Sequence, residues 1–273
     1  MSRLEECFAA LRARGEKGLI PYLTAGDPSL EFTARLVEGV AASGADIVEL
    51  GIPFSDPLMD GPVIQASAQR ALQARTTPAE VLALVAQLRP RVEVGLVLMT
   101  CYNLVFRYGL ERFAAEAQEA GVDGILVTDL PPEEAGEWEP VARAQGLDTI
   151  YLVAPTSTPE RLRLIAEHAT GFIYCVSRRG VTGVRKRLPP DLTAMLARIR
   201  AQTDKPIAVG FGISTPEHVR QVVAWADAAV VGSALVQRLA AGGDPEEQLR
   251  GLSEFVRELK EATLPKRVEM QID

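Results

Sequence analysis

Short runs of aliphatic and β-branched residues recur along the chain at 18–24 (GLIPYLT), 46–51 (DIVELG), 93–99 (EVGLVLM), 124–130 (GILVTDL), 148–154 (DTIYLVA), 171–176 (GFIYCV), 205–212 (KPIAVGFG) and 227–232 (DAAVVG). Runs of this length, bounded by turn residues, predict eight strands. Between them the apolar positions return every three or four residues, as in LEFTARLVEGVAASG, TPAEVLALVAQLR, LERFAAEAQEAG, PEEAGEWEPVARAQG, PERLRLIAEHA, PDLTAMLARIRAQ and PEHVRQVVAWA. That spacing predicts helices. Several of these segments open on Ser, Thr, Asp or Pro and close on Gly, residues that suit the unpaired backbone groups at helix ends. Further helical segments are expected over 2–14, before residue 75 and over 245–262.

Strand and helix alternate from end to end with no long linker. This predicts an α/β chain forming one (β/α)8 TIM barrel over residues 1–273, with extra N- and C-terminal helices. An open Rossmann-type sheet is the rival, but TAGDPS after the first strand lacks the GxGxxG turn. In a barrel the site lies at the C-terminal strand ends. Alternation along the second strand puts Ile47, Glu49 and Gly51 on one face and Val48 and Leu50 on the other, which suits packing against helices. Glu49 is then expected to point into the mouth. A carboxylate there must be paired, protonated or used in chemistry, and a structural ion pair is the competing account. Asp60 follows on a loop rich in proline and glycine, where Asp before Gly is equally ordinary turn chemistry.

Two other loops suggest an anion. The seventh run ends in VGFGISTPEHV and the eighth in VVGSALV. Gly210, Gly212, Gly232 and Ser233 would allow a phosphate to approach the backbone and a helix N-terminus. Tight turns, with Ser214 and Glu217 forming a capping box, account for the seventh loop equally well. After the sixth run, SRRGVTGVRKRLPP sets five basic residues in an acidic chain. It reads either as a solvated charge run or as a lid over a phosphorylated ligand.

Composition narrows the partners. A net charge of −7 and a pI near 5.1 argue against nucleic acid, which needs clustered basic residues. Cys7, Cys101 and Cys175 form no CxxC or Cys/His pattern, so neither a disulfide framework nor a metal site is expected. The charged start and the lack of a run of roughly 18 apolar residues predict a cytoplasmic protein without a membrane partner. His168 and His218 fall on helices and are expected at the surface.

PYLTAGDP (21–28), VELGIPFSDPLMDGP (48–62), NLVF (103–106), SRRGVTG (177–183), GFGIS (210–214) and VGSA (231–234) together resemble the α subunit of tryptophan synthase, over nearly the whole chain. The resemblance implies a barrel that cleaves indole-3-glycerol phosphate to indole and glyceraldehyde 3-phosphate by a retro-aldol step. It implies that Glu49 and Asp60 are the catalytic acids, with Asp60 at the indole N–H and Glu49 shuttling protons at a raised pKa. Tyr22, Met99, Thr128, Leu152 and Tyr174 would line the substrate pocket, and Thr182 on the lid would touch Asp60. Gly183, Gly212, Gly232 and Ser233, with Gly210 beside them, would hold the phosphate. Asp56, Pro57, Asn103 and Pro131 would face a β subunit in an α2β2 heterotetramer. The α chain itself would need no cofactor or metal; pyridoxal phosphate would belong to the β subunit, which receives the indole. A stand-alone lyase and a catalytically silent regulatory barrel remain the alternatives.

Overall fold

The computed structural model describes residues 1–57, 59–176, 192–210 and 212–265. Eight strands, β1 (Gly18–Thr24), β2 (Ile47–Gly51), β3 (Gly95–Thr100), β4 (Gly124–Val127), β5 (Asp148–Val153), β6 (Ile173–Val176), β7 (Ile207–Gly210) and β8 (Ala228–Val231), follow the predicted runs. Each pairs in parallel with the next and β8 pairs with β1, so the sheet closes into a barrel in sequence order. Around it run α1 (Arg3–Ala13), α2 (Leu30–Ala42), α3 (Pro62–Gln73), α4 (Pro78–Leu88), α5 (Tyr102–Tyr108), α6 (Leu110–Ala120), α7 (Trp138–Ala144), α8 (Pro159–His168), α9 (Leu192–Arg200), α10 (Pro216–Val223), α11 (Ser233–Ala240) and α12 (Pro245–Glu261). Among the described residues no helix is long and apolar enough to cross a membrane.

The strand alternation separates two apolar layers. Leu19, Leu23, Val48, Leu50, Leu96 and Leu98 face outward into the layer shared with the helices. Ile20, Ile47, Val97, Leu126, Ile150, Ala208 and Val230 fill the barrel interior. The N-terminal helix completes that interior from below. Leu4, Phe8 and Leu11 of α1 belong to the same inner cluster, and Phe8 packs against Phe172 with ring centroids 5.8 Å apart. Room for Leu4 comes from missing side chains, since a Cβ on Gly95 would meet its side chain at 2.7 Å and one on Gly124 at 3.0 Å.

Polar clamps fasten the lower rim. Asp46, just before β2, accepts from the Leu19 N–H at 2.8 Å and is held by Lys260. Asp123 accepts from Leu96 N–H at 2.8 Å and pairs with Arg89, and Asp227 accepts from Ile207 N–H at 2.9 Å and pairs with Arg200. Each carboxylate thus satisfies a backbone donor at the start of a neighbouring strand, and a base balances its charge.

Four details depart from the sequence pattern. PEEAGEWEPVARAQG is not one helix but a 3-10 turn, Pro132–Glu134, followed by α7, broken where Gly136 would weaken a helix interior. Helix α5 lacks a local signal because its cap comes from another loop, the Tyr102 N–H donating to Asp129 at 2.7 Å. The cap of α10 is Thr215, not Ser214, and it accepts from the His218 N–H. Pro216 at the first helical position forces Thr215 into the extended conformation that a cap needs. His218, expected at the surface, is buried beside Val219 and Val222. His168, by contrast, is part-exposed at the end of α8, with Nδ1 2.7 Å from the buried Glu139 carboxylate.

Candidate active site

Glu49 sits in the middle of β2, in register with Tyr22 on β1 and Val97 on β3, and only 2% of it is exposed. Its position follows from the alternation: with Val48 and Leu50 committed to the helices, residue 49 can only face the interior. Asp60 closes a turn in which its N–H donates to the Pro57 carbonyl at 3.1 Å. Gln65 on α3 holds the turn by donating to the Asp60 carbonyl at 2.9 Å. Gly61 and Pro62 then start α3, so Asp60 is anchored at a helix entrance. Among the described residues no basic side chain forms an ion pair with either acid. This distinguishes them from the clamped aspartates of the lower rim.

Among the described residues nothing offsets the effect of burial on these acids. Burial pushes Glu49 from an ordinary 4.5 up to about 8, the Asp60 charge adding to the effect, and raises Asp60 from 3.8 to about 6. At neutral pH the inner acid holds a proton while the outer one carries the charge, a division of labour suited to proton transfer. The raised value also has a cost in stability. Between pH 4.5 and 8 the unfolded chain releases a proton that folded Glu49 keeps, so stability falls as pH rises through that window. Glu49→Gln is thus expected to gain stability over the parent progressively from pH 4.5 to 8, with no further gain above it. Urea midpoints of both proteins across this range check the expectation. A constant difference would mean that Glu49 is ionised in the fold.

Asp60 lines a cleft of about 310 Å3 together with Tyr22, Met99, Thr128, Asp56, Pro57 and Asn103, all sequence-expected site residues, while Glu49 lies next to Tyr22 in the sheet and outside the lining. Thr24, Phe54, Met59, Cys101 and Asp129 line it as well. Sequence reading missed these, although Phe54 and Met59 belong to the same distinctive loop. Thr128 donates its hydroxyl to the Thr100 carbonyl at 3.2 Å, tying β4 to β3 at the rim.

Tyr174 and Leu152 lie apart from that lining, on β6 and β5, where both pack with the barrel-interior cluster. Burial chiefly raises the Tyr174 phenol well above its ordinary value, and Glu49 is the largest of the charge effects that add to it. Both tyrosines of the mouth rest over glycine. A Cβ on Gly51 would lie 2.1 Å from the Tyr22 hydroxyl, and one on Gly210 would lie 2.2 Å from that of Tyr174. Gly210 thus acts as a seat for a ring.

Gly232 lies beside Tyr22, a Cβ there meeting the Tyr22 Cβ at 3.3 Å. Ser233 starts α11, which no side chain caps, so its first N–H groups suit an anion. Gly212 has φ +81°, a left-handed conformation that favours glycine. Thr182, Gly183 and the lid expected over 177–189 lie outside the described residues.

The outer rim carries the residues expected to face a partner. Asp56 and Asn103 are exposed and Pro57 is half-buried beside them. Pro131 is half-buried at the start of the 3-10 turn and does not line the cleft. Met59 is 50% and Phe106 59% exposed, unusual for large apolar side chains, and each neighbours a rim residue in sequence or on α5.

The family model for the tryptophan synthase alpha chain matches residues 8–264. A tryptophan synthase alpha chain from Gloeobacter violaceus is 52% identical over 266 residues, covering 96% of each chain. That of Chloroflexus aggregans is 50% identical, covering 96% of this chain and 98% of its own. The crystal structure of tryptophan synthase subunit alpha from Legionella pneumophila superposes with a TM-score of 0.87 at 40% identity, covering 96% of this chain and 98% of that one. A chain of Mycobacterium tuberculosis tryptophan synthase gives 0.89 at 37%, covering 97% and 99%. With a buried acid and a cleft-lining acid that pair with no base among the described residues, at the mouth of a closed barrel, and with this likeness over almost its full length, the chain belongs to the tryptophan synthase alpha chain family.

Proposed function

We propose that this chain cleaves indole-3-glycerol phosphate to indole and glyceraldehyde 3-phosphate, as the α subunit of a tryptophan synthase, with Glu49 and Asp60 as its catalytic acids. The observation that carries the assignment of residues is the pairing of a buried acid raised to about 8 with a rim acid raised to about 6. The reaction adds a proton to the ring carbon that bears the side chain, forming a cationic indolenine. Loss of the hydroxyl proton from the adjacent chain carbon makes the aldehyde, and the electrons of the breaking carbon–carbon bond restore the indole. One proton enters and one leaves. A carboxyl that is protonated at neutrality and has little water around it suits both transfers, and Glu49 has that character. Asp60, ionised at neutrality, would accept the ring N–H and balance the indolenine charge.

The rest of the site would position substrate. Tyr22, Met99, Thr128, Leu152 and Tyr174 would border the indole and its chain. Gly183, Gly212, Gly232 and Ser233, with Gly210 beside them, would hold the phosphate, and Thr182 on the lid would touch Asp60 when the lid closes. Binding energy at the phosphate, remote from the breaking bond, would orient the reacting carbons. Asp56, Pro57, Asn103 and Pro131, with exposed Met59 and Phe106, would meet a β subunit that alone carries pyridoxal phosphate and takes up the indole, in an α2β2 assembly. A dimeric partner with one such face per subunit would give that stoichiometry.

Indole release from indole-3-glycerol phosphate, followed with and without a β chain, tests the reading. Cleavage that rises on adding the β chain, with a mass in solution matching two of each chain, is expected. A full rate without partner would make the chain a stand-alone lyase, and no cleavage in either condition would overturn the assignment.

A further inference from the structure

From the wall of the cleft a line of buried hydroxyls runs from β1 to α3. The Tyr22 hydroxyl lies 3.3 Å from Thr24 Oγ1, which lies 2.7 Å from Ser67 Oγ, and Ser67 donates to the Ile64 carbonyl at 2.8 Å. Tyr22, Thr24 and Ser67 are at most 5% exposed. The last link fixes the direction of the others. A carbonyl can only accept, so the single proton of Ser67 is spent on Ile64. Thr24 must then donate to Ser67, and Tyr22 must donate to Thr24. The phenol proton is thereby committed to Thr24, and only oxygen lone pairs of Tyr22 remain to meet a ligand in the cleft. Apolar packing holds this arrangement, since Tyr22 clusters with Ile64 of α3 and Val236 of α11, and Gly51 leaves the hydroxyl its space.

We propose that Tyr22 is a hydrogen-bond acceptor for a hydroxyl of the substrate's glycerol chain, and that Thr24 and Ser67 are positioning residues that impose this polarity through an oriented relay. The proposal rests on the reading of the Glu49–Asp60 cleft as the substrate site. The ring N–H is the partner of Asp60 in that reading, so the chain hydroxyls are the donors left for Tyr22. The relay also ties the strand carrying Tyr22 to the helix that begins two residues after Asp60, so one hydrogen-bonded line sets both the acceptor and the helix entrance that anchors the outer acid.

A double-mutant cycle of Tyr22→Phe and Thr24→Val, assayed for cleavage of indole-3-glycerol phosphate, tests it. Each single variant is expected to lose about three- to tenfold in kcat/KM, the worth of one neutral hydrogen bond. The double variant should fall no further than about twofold below Tyr22→Phe, because the two changes break one line. Thr24→Ser keeps the hydroxyl and should stay within about twofold of the parent. The Kd of an indole-3-alkyl phosphate lacking both chain hydroxyls should be unchanged in every variant, a separation that general loss of structure would not produce. If Thr24→Val fails to fold, Ser67→Ala takes its place in the cycle. Full activity of Tyr22→Phe, additive losses, or equal weakening of the analogue would overturn the relay. Glu49→Gln, run alongside, keeps the two readings apart: an inactive Glu49→Gln with a fully active Tyr22→Phe removes the relay alone, whereas an active Glu49→Gln removes the site reading and the relay with it.

Discussion

Glu49→Gln is expected to lower single-turnover cleavage of indole-3-glycerol phosphate by on the order of 10²- to 10⁴-fold, the range for loss of a general acid–base group, while the barrel stays folded. Gln matches the volume of the carboxyl and forms hydrogen bonds, yet it can neither give nor take a proton. Substrate binding through the phosphate end should change little, so the loss belongs to kcat and not to KM. Some residual rate is expected from orientation of the bound substrate and from Asp60. Turnover within about threefold of the parent would exclude Glu49 from proton transfer.

Asp60→Asn is expected to cost about 10²- to 10³-fold in kcat, comparable to removing one matched electrostatic partner of a transition state. The amide cannot balance the cationic indolenine, and its NH2 group would oppose the ring N–H if it faced it. A second effect distinguishes this variant. The Asp60 charge helps to hold the Glu49 pKa up at about 8, so removing it lets Glu49 ionise more easily. The alkaline limb of the residual pH–rate profile should therefore move toward lower pH, with burial still keeping Glu49 above its ordinary 4.5. An unmoved limb would mean that the two acids do not sense each other.

The sequence made the frame legible because the frame depends on local periodicity. GLIPYLT became β1 over the same residues, and the alternation that sent Val48 and Leu50 outward placed Glu49 inward without any knowledge of register. What stayed hidden depends on residues far apart in the chain. Asp60 reads as a turn residue before glycine, and its raised pKa exists only because walls from distant strands exclude water around it. Helix α5 could not be anticipated from YNLVFRY, since Asp129 caps it from across the rim. His218 was misplaced because a polar residue next to a helix start looks exposed until Val219 and Val222 show which face turns inward. The hydroxyls at 22, 24 and 67 carried no pattern of their own; only the closed barrel brings α3 back against β1.

The helix that stoppers the barrel floor leaves the opposite end as the place for a ligand. Leu4, Phe8 and Leu11 fill the lower end of the barrel, and glycines let Leu4 seat deeply among the strands. Among the described residues the cleft at the upper end opens beside Asp56, Met59 and Asn103. A protein docked over that rim would cover the end of the cylinder that the helix does not plug, and so stand where a membrane-permeable product leaves the cleft.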